Sequence, residues 1–212
     1  MIKVWGRATS VNVQAVMWAL AELGIACERI DVGGAFGGLD TPEFRAMNPN
    51  GRIPVLRDGD AFLWESATIV RYLGAQYGSA SFWPSDPLSR AKLDKWAEWM
   101  KTSFGPELLT GVFWPLVGTR PEQRDGQAIA AAVQRLKPLA AMLDTRLSEA
   151  DHLGGAQPCF ADIVVGAHLY RYFTVDFERS ETPHLEAYYG RLAERPAYAA
   201  HVMVSYESLR AK

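Results

Sequence analysis

Residues 48–66 read NPNGRIPVLRDGDAFLWES and decide the fold of this chain. The stretch opens with Asn-Pro-Asn-Gly, four strong turn formers, and continues into a short apolar run. A second turn at residues 58–59 carries an Asp-Gly hairpin signal, and a second apolar run follows it at residues 62–64. An apolar-periodic helix begins just after Glu65 and Ser66. The pattern predicts two antiparallel strands leading into a helix whose first backbone N–H groups can hold a carboxylate.

Pro54 is unusual within a strand because it has no N–H to donate to a ladder. If the bond before it is cis, the chain turns sharply and Ile53 presents its backbone outward, where an extended peptide can pair with it. A plain hairpin with a trans edge proline, and with Ser66 as a helix cap, explains the same residues equally well. The residues alone leave both interpretations open.

The ordered run formed by residues 51–56 (GRIPVL) and 63–73 (LWESATIVRYL) resembles the glutathione-binding segment of the glutathione S-transferases. In that family the proline is cis, the residue before it bonds the cysteinyl backbone of glutathione, and the Glu-Ser pair holds the γ-glutamyl carboxylate and amine. The resemblance implies that glutathione is a co-substrate. It also implies a substrate-binding set of Arg52, Ile53, Pro54, Glu65 and Ser66.

Bulk properties limit the classes of function. The 212 residues suffice for one large domain or two small ones, and 49% apolar with 22% charged residues is typical of a globular soluble protein. A net charge of −2 gives no electrostatic case for a nucleic-acid partner or an anionic membrane. The start of the chain has no signal-peptide core, and Cys27 and Cys159 show no metal or redox spacing, so we expect a cytoplasmic protein. The four histidines are isolated from one another, and no metal site is expected.

Taken in order, the chain predicts an α/β thioredoxin-like N-terminal domain followed by an all-α C-terminal helical domain. Residues 1–78 read as β-α-β-α-β-β-α, with a glycine-rich loop at residues 33–38. After a linker, residues 88–212 are helical throughout, and they are expected to line the pocket of the second substrate. Gly105-Pro106 should kink or interrupt the first long helix.

Residues 160–170 form an almost wholly apolar helix that should be buried. Asp162 in its first turn therefore needs backbone N–H partners. Members of the family place Ser or Thr three residues earlier as a helix cap, whereas this chain has Cys159. Because sulfur is a poor acceptor, the capping box is expected to be half lost.

The chemistry implied by the resemblance requires a thiolate. Lowering a thiol pKa from about 8.5 to about 6.5 takes about 2.7 kcal/mol, and one or two donors at a helix start can supply it. Among residues 1–20 no tyrosine is present to do so, and the resemblance is to the theta-like and beta-like bacterial branches. Ser10 and Asn12, just before the first helix, are the candidate catalytic residues, although either one can simply cap the helix.

The second substrate is expected between the domains, against apolar walls. The aromatic candidates are Trp99, Phe104, Phe113 and Trp114, although aromatic residues at helical spacing are commonly core. The resemblance also implies a homodimer, in which Glu98 would face the partner's glutathione. A solvated charge on a helix face explains Glu98 just as simply.

Three functions follow from these residues. The first is a glutathione transferase that adds the thiolate to a small electrophile. The second is glutathione-dependent disulfide or peroxide reduction, suggested by Asn12 and by the absence of a cysteine from the first loop. The third is a catalytically silent glutathione-fold interaction module, which the intact Ile53-Pro54 and Glu65-Ser66 pairs disfavour.

Overall fold

The first part of the chain is built on a four-stranded mixed sheet. The computed structural model describes residues 1–211, and Lys212, the last residue of the predicted helical domain, lies outside them. The strands are β1 (Ile2–Trp5), β2 (Cys27–Ile30), β3 (Val55–Asp58) and β4 (Ala61–Trp64), in the spatial order β2-β1-β3-β4. β1 is parallel to β2 and antiparallel to β3, and β3 and β4 form the predicted hairpin.

Three helices complete this sheet domain. They are α1 (Val11–Glu22), which makes the crossover that a parallel pair requires, α2 (Pro42–Met47) and α3 (Ser66–Tyr77). Thr41 caps α2 as its sequence predicts, because its Oγ1 accepts from the N–H of Phe44 at 3.2 Å. The β-α-β-α-β-β-α order and the thioredoxin-like fold class are confirmed.

The helical domain opens with a long rod that departs from a regular α-helix around Gly105-Pro106. The rod starts as α4 (Pro87–Trp99) and continues through wide turns at Met100–Phe104 and Glu107–Phe113 to α5 (Trp114–Val117). Gly105 keeps helical dihedrals, with φ of −60° and ψ of −48°. Pro106 does so too, with φ of −58° and ψ of −45°. The regular α-helix is therefore interrupted around Gly105-Pro106, as the sequence predicts, although the chain stays helical. The backbone changes there to an i→i+5 hydrogen-bond pattern, which leaves more room for the proline ring.

Four more helices complete the helical domain. They are α6 (Gly126–Leu147), α7 (Phe160–Thr174), α8 (Pro183–Ala193) and α9 (Pro196–His201). The all-α class of the second domain is confirmed, while the boundaries at residues 78 and 88 stay predictions. Across the described chain, none of the helices combines the length and the apolar character that crossing a bilayer would take.

The two domains share one core, in which α1 meets α7. A Cβ atom on Gly166 of α7 would lie 2.9 Å from the Trp18 ring of α1 and 2.7 Å from Leu192, so only glycine permits this approach. Trp18 is fully buried and packs edge-on against Tyr198, with ring centroids 4.8 Å apart. The Tyr198 hydroxyl donates to the Gly166 carbonyl at 2.9 Å, which fixes α9 against the same contact.

Asp162 is fully buried in the first turn of α7, as its sequence predicts. Its carboxylate accepts from the backbone N–H groups of Leu153 at 2.8 Å, Gly154 at 3.3 Å and Cys159 at 2.8 Å. The Cys159 sulfur faces the Asp162 backbone N–H, so both halves of the capping box are present. The expectation that half of the capping box is lost is wrong. The sulfur is a weak acceptor, but it completes the box because the Asp162 carboxylate already holds the helix start through several backbone N–H groups.

Candidate active site

The bond between Ile53 and Pro54 is cis. The turn before it is held by Asn48, which is 2% exposed and whose Nδ2 donates to the Arg52 carbonyl at 2.7 Å while its Oδ1 accepts from the Asn50 N–H at 3.0 Å. The ladder of β3 begins only at the next residue, Val55. Within residues 1–211, the backbone N–H and C=O of Ile53 therefore have no backbone partner. A free donor and acceptor on an extended residue can receive a peptide strand.

Glu65 and Ser66 sit at the start of α3, opposite that edge. Glu65 has φ of +69°, the only positive φ at a non-glycine position among the described residues. Such a conformation costs about 1–3 kcal/mol and is typical of functional sites. Ser66 is 4% exposed and opens the helix, where free N–H groups favour an anion.

A lysine from the helical domain joins this helix start, and the sequence analysis missed it. Lys101 Nζ donates to Asn12 Oδ1 at 2.7 Å and lies 3.4 Å from Ser66 Oγ. The Ser66 hydroxyl donates to the same Asn12 oxygen at 3.1 Å. Because an ammonium only donates, the Asn12 atom facing it must be the amide oxygen, and the Asn12 NH₂ group points elsewhere. Burial lowers the pKa of Lys101, and the carboxylates of Glu65 and Glu98 oppose that effect.

The remaining candidates separate into two groups. Ser10 is the residue before α1, yet its side chain makes no cap hydrogen bond, so its hydroxyl is free to serve another acceptor. Asn12 and Ser66 are in contact, as a shared site requires. The exposed side chain of Arg52, in contrast, contacts none of the other candidate residues within the described chain. Only its backbone carbonyl is fixed.

Two of the four aromatic candidates cannot line an open pocket. Phe104 and Phe113 are fully buried, because they pack against Tyr172 at 5.4 Å and Tyr206 at 5.2 Å between ring centroids. Placing them in the substrate wall was therefore wrong, and the core interpretation is correct.

The other two aromatic candidates lie apart from each other. Trp114 is 41% exposed. Trp99 borders a surface pocket of about 280 Å³ together with Lys95, Trp96 and Met142. None of the candidate glutathione-binding residues lines that pocket.

Glu98 has a partner within its own chain. The guanidinium of Arg71 pairs with Glu98 and, at 2.8 Å, with Asp94. The predicted contact of Glu98 with a second subunit stays a prediction.

Among residues 1–211, no cluster of three or more His, Cys, Asp or Glu is arranged to hold a metal ion.

A thioredoxin-like sheet domain with a cis-proline before β3, followed by an all-helical domain, is the architecture expected from the sequence. Comparisons with known proteins agree with it. Residues 5–81 match the model of the glutathione S-transferase N-terminal domain, and residues 107–196 match that of the C-terminal domain. The chain therefore belongs to the glutathione S-transferase family.

Individual relatives match over nearly the whole length. Glutathione S-transferase GstB of Escherichia coli (strain K12) is 39% identical over 206 residues, which is 96% of this chain and 99% of that protein. A theta class glutathione S-transferase from Xanthomonas axonopodis pv. citri, solved with glutathione bound, is 44% identical with a TM-score of 0.91, and the match covers 96% and 98% of the two chains. Glutathione S-transferase 3 of Zea mays is 30% identical over 210 residues, covering 93% and 91%. The predicted family, enzyme class and co-substrate are confirmed, while the roles of individual residues stay predictions.

Proposed function

We propose that this transferase binds glutathione across Ile53 and the start of α3, and that it activates the thiol as a thiolate for attack on a small electrophile. The observation that supports this most is the contact between Asn12, Ser66 and Lys101, at 2.7–3.4 Å, where the starts of α1 and α3 meet. The Lys101 ammonium, the Ser66 hydroxyl and the starts of two helices favour an anion here.

The γ-glutamyl unit of glutathione is assigned by charge, and the cysteinyl unit by backbone pairing. The γ-glutamyl carboxylate lies at Ser66 and the first N–H groups of α3, with Lys101 as its counter-charge. The cysteinyl N–H and C=O pair with the free backbone of Ile53, and Glu65 takes the γ-glutamyl amine. The buried position of Ser66 supports this assignment, because a charge-assisted hydrogen bond is stronger where water is excluded.

Replacing Ser66 with Ala should weaken glutathione binding by about 1–3 kcal/mol, because one hydrogen bond to a charged group is lost. Lys101→Met should weaken it at least as much, since the variant leaves a buried carboxylate without its cation. Calorimetric titration with glutathione measures both. Thr68→Ala, an exposed change two residues further along α3, is the matched control and should leave the affinity as it is. Unchanged affinity in the Ser66 variant would remove the γ-glutamyl end from this position.

Conjugation and reduction are distinguished by two assays on protein retained by immobilised glutathione. We expect conjugation of a chloro-nitroaromatic to exceed reduction of a mixed disulfide, because the structure places both cysteines away from the candidate loop, Cys27 in β2 and Cys159 before α7. Faster disulfide reduction would favour the reductase alternative. Failure of both assays would favour the silent interaction module.

We propose that two copies of this chain form a dimer. Support comes from the edge strand β4, where Phe62 is 40% and Trp64 is 39% exposed, and from the apolar pocket beside Trp96 and Trp99. Large apolar side chains on an unpaired sheet edge are a typical interaction surface. The proposed seam joins this edge to the helical domain of the partner, with Glu98 facing it.

Sedimentation at micromolar concentration should show a dimer. Trp64→Glu places a charge in the proposed seam and should produce monomers. Met203→Glu changes an apolar residue of similar exposure, 37%, near the end of the chain and should leave the dimer intact. A wild-type chain that sediments as a monomer would contradict both the dimer and the role of Glu98.

The two free thiols, Cys27 and Cys159, are compatible with the proposed cytoplasmic setting.

A further inference from the structure

Arg7 occupies the loop that connects β1 to the first candidate residue. Its backbone N–H donates to the Val32 carbonyl at 3.1 Å, and its carbonyl accepts from the Ser10 N–H at 3.1 Å. Its side chain lies beneath the glycine-rich loop, where a Cβ atom on Gly34 would come within 3.0 Å of both Cδ and Nε of Arg7. The guanidinium is therefore held between the two loops that border the site.

No acid neutralises this guanidinium. Arg7 Nη1 donates to Thr9 Oγ1 at 2.6 Å, and Nε is buried with no acceptor. Within residues 1–211 Arg7 forms no ion pair, and burial lowers its pKa. Some half-buried arginines of this chain pair with acids, such as Arg71 with Asp94 and Arg195 with Glu22. Arg7 is left as an uncompensated positive charge.

A second guanidinium with only neutral partners lies next to it. Arg171 of α7 is 3% exposed, and it donates to Gln14 Oε1 at 2.8 Å and to the Thr9 carbonyl at 2.7 Å. Its guanidinium carbon is 5.0 Å from the centre of the Phe113 ring. Burial and the positive charge of Arg7 lower the pKa of Arg171 to about 10. Both arginines bond Thr9, and the ionisable groups that favour the charged form of Arg171 are tyrosines, which are neutral at pH 7.

The position of this pair relative to glutathione is given by close backbone contacts. A Cβ atom on Gly6, the neighbour of Arg7, would lie 3.3 Å from Ile53 Cβ, and one on Gly33 would lie 3.3 Å from Ile53 Cδ1. Arg7 is thus beside the residue assigned to the cysteinyl unit. The γ-glutamyl end is assigned elsewhere, to Ser66 and Lys101. An anion bound at Arg7 would lie near the thiol.

We propose that Arg7, with Arg171 behind it, binds the carboxylate of an anionic second substrate, such as an α-halocarboxylic acid. This inference rests on the proposed function. Burying two cations without a counter-ion is unfavourable, and a bound carboxylate removes that cost. The Arg7 Nη2 group, which donates to no described residue, is the donor that faces the ligand.

The charge also serves the reaction itself. The thiolate attacks the carbon that bears the halogen, the C–S bond forms as the C–halogen bond breaks, and the halide leaves with the bonding electron pair. No oxidant or proton is needed. A thiolate and a carboxylate repel each other by about 4 kcal/mol at 4 Å in a medium with an effective dielectric constant of 20. A guanidinium between them offsets that repulsion in the transition state.

The test compares two electrophiles that differ in charge and share the reacting carbon, chloroacetate and chloroacetamide. Chloride release gives kcat/KM for each, divided by its uncatalysed rate with glutathione. The wild type should favour the acid, and Arg7→Gln should reduce kcat/KM for the acid by about 10–100-fold while changing the amide by less than about twofold. Arg7→Lys keeps the charge and should restore part of the loss. Arg90→Gln, in the first turn of α4, is the control.

Other outcomes overturn specific steps. Equal losses with both electrophiles would mean that Arg7 only shapes the loop. An increased KM for glutathione with every electrophile would assign the arginine to a carboxylate of glutathione itself. If the wild type conjugates a chloro-nitroaromatic without preferring chloroacetate, this inference fails and the proposed function stands. If it conjugates none of the three, the proposed function fails.

Discussion

Replacing Asp162 with Ala should destabilise the protein by about 3–5 kcal/mol, because a buried hydrogen-bond network is lost at once. The carboxylate accepts from three backbone N–H groups and from the Tyr188 hydroxyl at 2.8 Å. Burial raises the pKa of Tyr188, and the charge of Asp162 raises it further, so the hydroxyl stays protonated and keeps donating. Without the carboxylate, all four donors are left unpaired in the core. The midpoint of urea unfolding measures the loss.

Graded variants separate this network from a general effect of mutation. Tyr188→Phe removes one donor and leaves Asp162 with its backbone partners, so it should cost about 1 kcal/mol. Asp176→Ala changes an exposed carboxylate and should leave the unfolding midpoint nearly as it is. If Asp162→Ala unfolds at the same urea concentration as Asp176→Ala, the network does not stabilise the native state.

The second large effect concerns the thiol, and we expect Ser10→Ala to raise the pKa of bound glutathione by about 1–2 units. Ser10 makes no cap hydrogen bond, so its hydroxyl can be donated to sulfur, where it stabilises the thiolate over the thiol. Asn12 differs because Lys101 and Ser66 both donate to its oxygen. Asn12→Ala should therefore weaken glutathione binding more than it shifts the thiol pKa.

Thiolate absorbance against pH, with each variant saturated by glutathione, separates these two roles. Ser85→Ala, an exposed change in the linker, is the control. Because the thiol pKa is raised in Ser10→Ala, activity at pH 7 should fall by about 10–100-fold and recover as the pH rises. A larger shift in Asn12→Ala would exchange the two roles and favour the disulfide-reducing alternative. Two unchanged curves would assign activation to the backbone N–H groups of the loop.

Local chemistry explains which parts of the site were predictable. The Asn-Pro-Asn-Gly turn, the hairpin, and the Ile53-Pro54 and Glu65-Ser66 pairs each form within a few neighbouring residues, so their order in the sequence carries the information. Lys101 meets Asn12 across 89 positions, and Arg171 meets Thr9 across 162. A single lysine on a helix is indistinguishable from a solvated charge, although its apolar neighbours Trp99 and Met100 were a usable signal.

The expectations that failed have a common physical cause. A local sequence pattern does not show how much space the elements packed against it leave for a side chain. Phe104 and Phe113 have the composition of a pocket wall, but the tertiary fold buries both completely. Gly105-Pro106 interrupts the regular α-helix as its composition predicts, but composition does not show that the rod widens there and continues. Cys159 is a weak cap, yet Asp162 holds the helix start regardless.

The contact of Gly166 with Trp18 fixes the interface between the two domains. A side chain larger than hydrogen at position 166 would hold the two helices apart, and an interface lined by water could slide. Here a fully buried indole lies directly on the backbone of α7. Because close-packed interfaces resist opening, we expect the two domains to move little relative to each other, and substrates to enter without a hinge between them. We expect access to the proposed site to depend on the two border loops, at residues 6–10 and 33–38, whose glycines adopt positive φ at positions 6, 33, 34, 37 and 38. Differences in substrate range among proteins with this Gly–Trp contact should then arise in those two loops, while the interface between the domains keeps the same geometry.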